Sequence, residues 1–229
     1  MIRLRALGVV ALACVLSAAA LHGQDRSRYR DYQLGGGLSA ISTLAGVPAS
    51  EVRTLHSRPA TMQEFQWQRP YTAGDAAQAD PVKQIVFSFY NDQLSRMVVD
   101  YDRDRTAGMT DADLIDAISA TYGPRVKPGV RIARAAPSQV EQESGTPVAR
   151  WGDADYSVVL YRSTFAAAVR VIVTSPRLEA LARTAETRSS RIDEREAPQR
   201  EIARQKKDAD DAKTAQEKAR LANKAAFRP

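Results

Sequence analysis

Apolar positions along the chain change period several times, and each change marks an element. Leu38, Ile41, Leu44 and Ala45 recur at helical spacing and stop at Gly46, which predicts a short helix closed by a glycine. Pro48 fits a first turn, and Val52 and Leu55 continue a second short helix until Arg58-Pro59 stops it. The period then falls to two. Phe65-Gln66-Trp67-Gln68 alternates as a strand, and a loop over 69–81 carries Pro70, Gly74 and Pro81. Ile85, Phe87 and Phe89 share one strand face, and Met97, Val99 and Tyr101 share another. Asn91-Asp92 between them tolerates the positive φ of a two-residue turn, so 82–101 reads as a hairpin.

The helical period returns at 110–122. Thr110 can cap that helix, Asp111 and Asp113 suit the positive end of its dipole, and Leu114, Ile115, Ile118 and Tyr122 form its stripe. Gly123-Pro124 ends it. A loop over 124–146 shows no strong period. Residues 148–151, 156–162 and 169–174 read as a second three-strand meander, with Gly152 to Asp155 as one turn. From 177 to 227 there is no glycine and one proline, Pro198, among Ala, Arg, Lys, Glu and Gln, which predicts a charged helical tail. Its part after Pro198 has a thin seam of Ile202, Ala209, Ala212, Ala219 and Ala226, and is mostly solvated. The predicted fold is α+β. It is a two-layer domain with an antiparallel sheet of two three-strand groups, helices on one face, and a long C-terminal charged helix.

The first residues change the setting. Arg3 and Arg5 precede an apolar run over 6–21 that ends in Ala18-Ala19-Ala20. This reads as an export signal over 1–23, too short and too small-residue-ended for a membrane span. Residues 24–37 then form a flexible lead-in, 38–175 a globular domain and 176–229 the tail. Cleavage would remove Cys14, the only cysteine, and His22, one of two histidines. The remaining chain has no thiol nucleophile, disulfide or cysteine-type zinc site, and His56 is its one imidazole. Removing Arg3 and Arg5 leaves 31 basic and 27 acidic residues, a net of +4. So mild a balance suits loose attraction to anionic envelope polymers and does not point to nucleic acid.

Few residue sets suggest chemistry. Asp100, Asp102, Asp104 and Asp111 stand at positions 1, 3, 5 and 12 of a calcium-loop pattern, but Arg105 occupies the place of the turn glycine. Arg103 and Arg105 put positive charge inside the loop, so the segment reads as a strand end entering a charged turn. His56 and Ser57 are too close in sequence to face each other as base and nucleophile, and His56 suits a helix C-terminus. The carboxylate pairs Asp153/Asp155 and Glu141/Glu143 fall in a turn and a loop. Trp67, Tyr71 and Trp151 are the candidate binding surface for a peptide or glycan. No phosphate loop, dinucleotide fingerprint or metalloprotease motif occurs, and no cofactor is expected.

The stretch Gly108-Met109-Thr110-Asp111-Ala112-Asp113-Leu114-Ile115-Asp116-Ala117-Ile118, followed by Gly123-Pro124, resembles the G-M-T…G-x-P helix signature of SmpA/BamE-like envelope modules. Here the stretch follows a hairpin instead of opening the domain. The resemblance implies a small α+β module of the bacterial envelope acting as a non-enzymatic partner. The expectation is therefore an exported, periplasmic or secreted, non-catalytic adaptor for an envelope protein or polymer. The alternatives are a carboxylate-dependent hydrolase or glycan-processing enzyme, and a protein that self-associates through its tail.

Overall fold

The computed structural model describes residues 26–70, 80–127, 139–163, 169–226 and 228. The export signal read over 1–23 lies outside them. The first elements among the described residues are β1 (Arg28–Tyr29) and β2 (Tyr32–Gln33), a small antiparallel hairpin. Tyr29 and Leu34 are buried in the main core, and the Tyr122 hydroxyl donates to the Arg28 carbonyl at 2.6 Å. The segment expected to be a flexible lead-in is thus docked from Arg28 onward, held by Tyr29, Leu34 and Tyr32, which packs edge-on against Phe87, too few side chains to show a period.

Helix α1 (Leu38–Ala45) ends on Gly46 at φ 67°, as its spacing predicts. Its own N-cap, Gly37, offers no side chain, and Asp92 at the tip of the hairpin supplies the missing acceptor to the Leu38 N–H at 3.1 Å. A single 3-10 turn (Ala49–Glu51) follows, and then strand β3 (Arg53–His56) replaces the second helix expected there. Val52 and Leu55 do lie three apart, but the backbone of 53–56 finds its partners on β4 (Met62–Gln68). Strand pairing across a short turn outweighs one helical repeat.

β5 (Val82–Tyr90) and β6 (Gln93–Tyr101) form the predicted hairpin, with Asn91 and Asp92 both at positive φ. Helix α2 (Asp111–Tyr122) begins in a capping box. Thr110 accepts from the Asp113 N–H while the Asp113 carboxylate accepts from the Thr110 N–H. The Thr110 hydroxyl, which donates to the same carboxylate at 2.7 Å, and then the Thr110 N–H hold Asp113 below the usual carboxylate range. After the short α3 (Gln139–Glu143) come β7 (Thr146–Gly152), β8 (Ser157–Arg162) and β9 (Val169–Thr174), and then α4 (Pro176–Ala226).

The two strand groups are not separate. Strands β3 to β9 make one seven-stranded antiparallel sheet in the order β3-β4-β5-β6-β9-β8-β7, with β6 and β9 joining the two meanders. One face carries the core, in which Phe65, Phe87, Met97, Val99, Val158 and Val171 pack under α1 and α2. The other face carries a smaller apolar patch of Val98, Val159, Tyr161 and Ile172. The root of α4 contacts β5 and β6 there and buries Leu178, Ala182 and Ala185. Helices therefore cover both faces, contrary to the expected two layers. The apolar runs of β8 and β9 require it, because successive residues point to opposite faces and both sets are apolar.

Candidate functional site

The face of the sheet under α4 is unusually charged. On β6, Arg96 and Asp100 point away from the main core. Asp100 accepts from Nε and Nη2 of its cross-strand neighbour Arg170 at 2.5 and 3.0 Å. Gln84 donates to Asp100 at 2.7 Å. Arg96 donates to Glu179 of α4 at 3.1 Å. Arg183, one turn on, reaches back to Glu179 at 3.4 Å and across to Glu141 of α3 at 3.3 Å. Glu141 also accepts from the buried Tyr161 hydroxyl at 3.4 Å. The layer ties both meanders and α3 to the helix.

Further along α4 a second set of contacts fastens it to the far edge of the sheet. The Ser189 hydroxyl lies 2.7 Å from His56 Nδ1, and Asp193 lies 4.0 Å from the same nitrogen. Arg58 donates to Glu196 at 2.9 Å, and Arg200 donates to Asp193 and Glu196 at 2.7 and 2.9 Å. Hydrogen bonds from Arg58 and Arg200 hold the Glu196 carboxyl below its ordinary range. Past this point α4 leaves the sheet, and every described residue from Ala197 to Ala226 is exposed. That stretch is about 45 Å long at about 1.5 Å per residue.

The aspartates of the calcium-loop pattern are drawn apart. Asp100 belongs to Arg170, and Asp102 pairs with Arg69, whose hydrogen bond lowers its pKa. The other oxygen of Asp102 accepts from the Asp104 N–H. Asp111 pairs with Arg162 at 2.7 Å. Among the described residues no three metal-ligating side chains converge. The donors of this pattern therefore do not fit a cation.

His56 lies on a strand and not at a helix end. Its Ser189 and Asp193 neighbours supply the residue types of a hydrolytic triad in the wrong arrangement. Both approach Nδ1, whereas a relay needs the hydroxyl on one ring nitrogen and the carboxylate on the other. Glu141 and Glu179 are both buried, but the Arg183 guanidinium bridges them. Glu143, Asp153 and Asp155 are exposed, and the Asp153 carboxylate accepts turn N–H groups at 2.8 and 3.3 Å.

Of the aromatic candidates, Trp151 is only 1% exposed and its indole N–H donates to Ser119 of α2 at 3.0 Å. It is a core residue, because the inward face of β7 meets α2, and it is not part of a binding surface. Trp67 is half-buried against the same core, and Tyr71 lies outside the described residues. The aromatic set the sequence did not bring together is a group of tyrosines. The Tyr29 and Tyr101 hydroxyls are 3.1 Å apart, and Tyr122 packs on Tyr156 with ring centroids at 6.1 Å. Burial pushes Tyr29, Tyr101 and Tyr122 above the usual tyrosine range.

The segment of the G-M-T resemblance does structural work. Gly108 takes φ 80°, the Met109 carbonyl accepts from Arg162 at 3.0 Å, and Thr110 caps α2. Sequence reasoning missed the charged layer under α4. Opposite charges at alternating positions of strands with apolar neighbours, Arg96 and Asp100 in β6 and Arg170 in β9, are the signal that could have found it. Comparisons with protein-family models, with curated proteins and with solved structures find no match for this chain.

Proposed function

We propose that the chain is an exported, non-catalytic binding module of the bacterial envelope, in which the sheet is a mount and the distal half of α4 is the element that reaches a partner. One observation carries this reading. Helix α4 is fixed at its root by ion pairs from β6, from α3 and from Arg58 in the turn between β3 and β4, and then projects 30 exposed residues, Ala197 to Ala226, beyond the last of those contacts. An isolated charged helix gains little by extending into water, since most helical stability in proteins comes from packing an apolar face. The resemblance around Gly108 to Pro124 supports the envelope as the compartment.

In-cell crosslinking of the full chain and of a chain ending at Gln199 tests it. Discrete partners captured by the first and lost by the second support the arm as the recognition element. Partners kept by the shortened chain move recognition to the sheet and remove this reading. A specific feature favours one further possibility, association of two copies. Ala212, Ala215, Ala219, Ala222 and Ala226 recur at intervals of three and four on one side of the arm, and alanine lets helices approach closely. Light scattering that gives a dimer mass for the full chain and a monomer mass for the shortened one would select it.

A further inference from the structure

Arg200, Arg204, Lys207 and Lys218 of α4 share a side with carboxylates, but another group of its cations forms a row of its own. At about 100° per residue, Arg188, Arg195, Lys206, Lys213, Arg220 and Lys224 fall within a sector of about 40°. They recur at intervals of 7, 11, 7, 7 and 4 residues, the repeats that keep a position on one side of a helix. The last four lie beyond Pro198, so they share a line whatever that proline does to the axis. The row runs about 54 Å. All six side chains are exposed. Among the described residues only Arg220 has an ion-pair partner, Glu217 at 3.9 Å.

The carboxylates lie elsewhere. Over 188–226, Asp193, Glu194, Glu196, Glu201, Asp208 and Asp211 sit about 100° or more around the helix from the row, and only Asp210 and Glu217 adjoin it. The residues that face the sheet, Ala182, Ala185 and Ser189 among them, lie about 80° to 140° from the centre of the row. A flat surface can therefore meet the row without meeting the sheet.

Cations alone would suit any polyanion. The exposed aliphatic side chains narrow the choice. Ile202, 67% exposed, lies within the row, and Leu181 and Leu221, at 44% and 54%, lie within about 80° of it. A line of Lys and Arg interleaved with exposed aliphatics is the composition that binds a headgroup layer, with cations meeting phosphate and aliphatics entering the acyl boundary. We infer that this flank of α4 lies along an anionic phospholipid bilayer surface. The inference deepens the envelope-module reading and takes only the compartment from it.

The test compares four proteins, each the full chain, by sedimentation with vesicles of phosphatidylcholine alone or mixed with phosphatidylglycerol. The apolar run at 6–21 is common to all four, so differences between them report on α4. One variant carries K206Q, K213Q and K224Q in the row. The second carries R204Q, K207Q and K218Q, the same charge change on other sides of the same arm. Glutamine keeps helix propensity, and circular dichroism checks the helix. The unmodified chain should bind the mixed vesicles more tightly than the neutral ones, and the difference should vanish near molar salt. The row variant should lose about a hundredfold in that affinity, about fivefold per cation, and the second variant less than tenfold. K206R, K213R and K224R together should retain binding, which separates charge from any structural effect. Equal losses in the two glutamine variants would overturn the inference, because net charge and not the row would then bind. So would equal binding to neutral vesicles, or capture of a soluble polyanion without capture of mixed vesicles. Crosslinked protein partners without vesicle binding would remove this inference and leave the adaptor reading standing.

Discussion

The buried tyrosines show how single side chains set the pH range of this fold. Tyr29, Tyr101 and Tyr122 are acids whose ionisation is pushed upward because the charged form would sit in the core. A raised folded-state value stabilises the fold in full below the unfolded value of about 10 and progressively less above it. The urea midpoint is therefore expected to hold up to about pH 10 from this source and to fall beyond it. Tyr101→Phe should make that alkaline fall shallower, measured by urea titration across the interval. Trp151 makes the converse point about reading residues. As a letter in the chain it sits one residue before a glycine and its turn, which suggests a rim. Its burial is decided by α2, some thirty residues earlier in sequence, through the Ser119 hydroxyl.

At the scale of elements, local signals were legible where the chain carries its own punctuation. The β5–β6 hairpin follows from alternation on both sides of Asn91-Asp92, and α2 follows from Thr110, its acidic first turn and Gly123. Thr110→Ala should remove the hydroxyl half of the capping box, leaving the backbone N–H of position 110 on the Asp113 carboxylate, and cost about 1 kcal/mol, read from the urea midpoint. Restoration by Thr110→Ser would assign the loss to the hydroxyl. The elements that went unread are those whose stabilising partner lies far away. Strand β3 is four residues long, largely exposed and defined by its pairing with β4. β1 and β2 contribute two residues each and depend on the core for their position.

At the scale of the molecule, the apolar runs of β8 and β9 call for cover on both faces, and what the sequence concealed was the charged part of that second face. Charged residues in Arg96, Asp100 and Arg170 look like a solvated strand face until α4 is placed over them. The long helix then divides into two parts with different duties, a packed root and an exposed arm. A chain ending at Gln199 should keep the melting temperature of the full chain, since every described residue it loses is exposed. A chain ending at Ser175 should lose cooperative unfolding, because it uncovers Arg96 and Asp100 and deletes Leu178, Ala182 and Ala185 from the interface. Differential scanning calorimetry of the three lengths distinguishes these outcomes.

The joint between β6 and β9 pairs residues 96–100 with 170–174, whereas the other strand pairs of the sheet are neighbours in sequence. Each meander can thus close its own short loops before the long one costs its entropy. The molecule is in this sense separable at a seam. Two polypeptides divided at Ala107-Gly108, one carrying β1 to β6 and the other α2 to α4, hold complementary strand edges, and the second brings the helix that bridges them. Mixed together, they should reassemble by fragment complementation, with Trp151 fluorescence and recovered near-ultraviolet dichroism reporting the closure of the sheet.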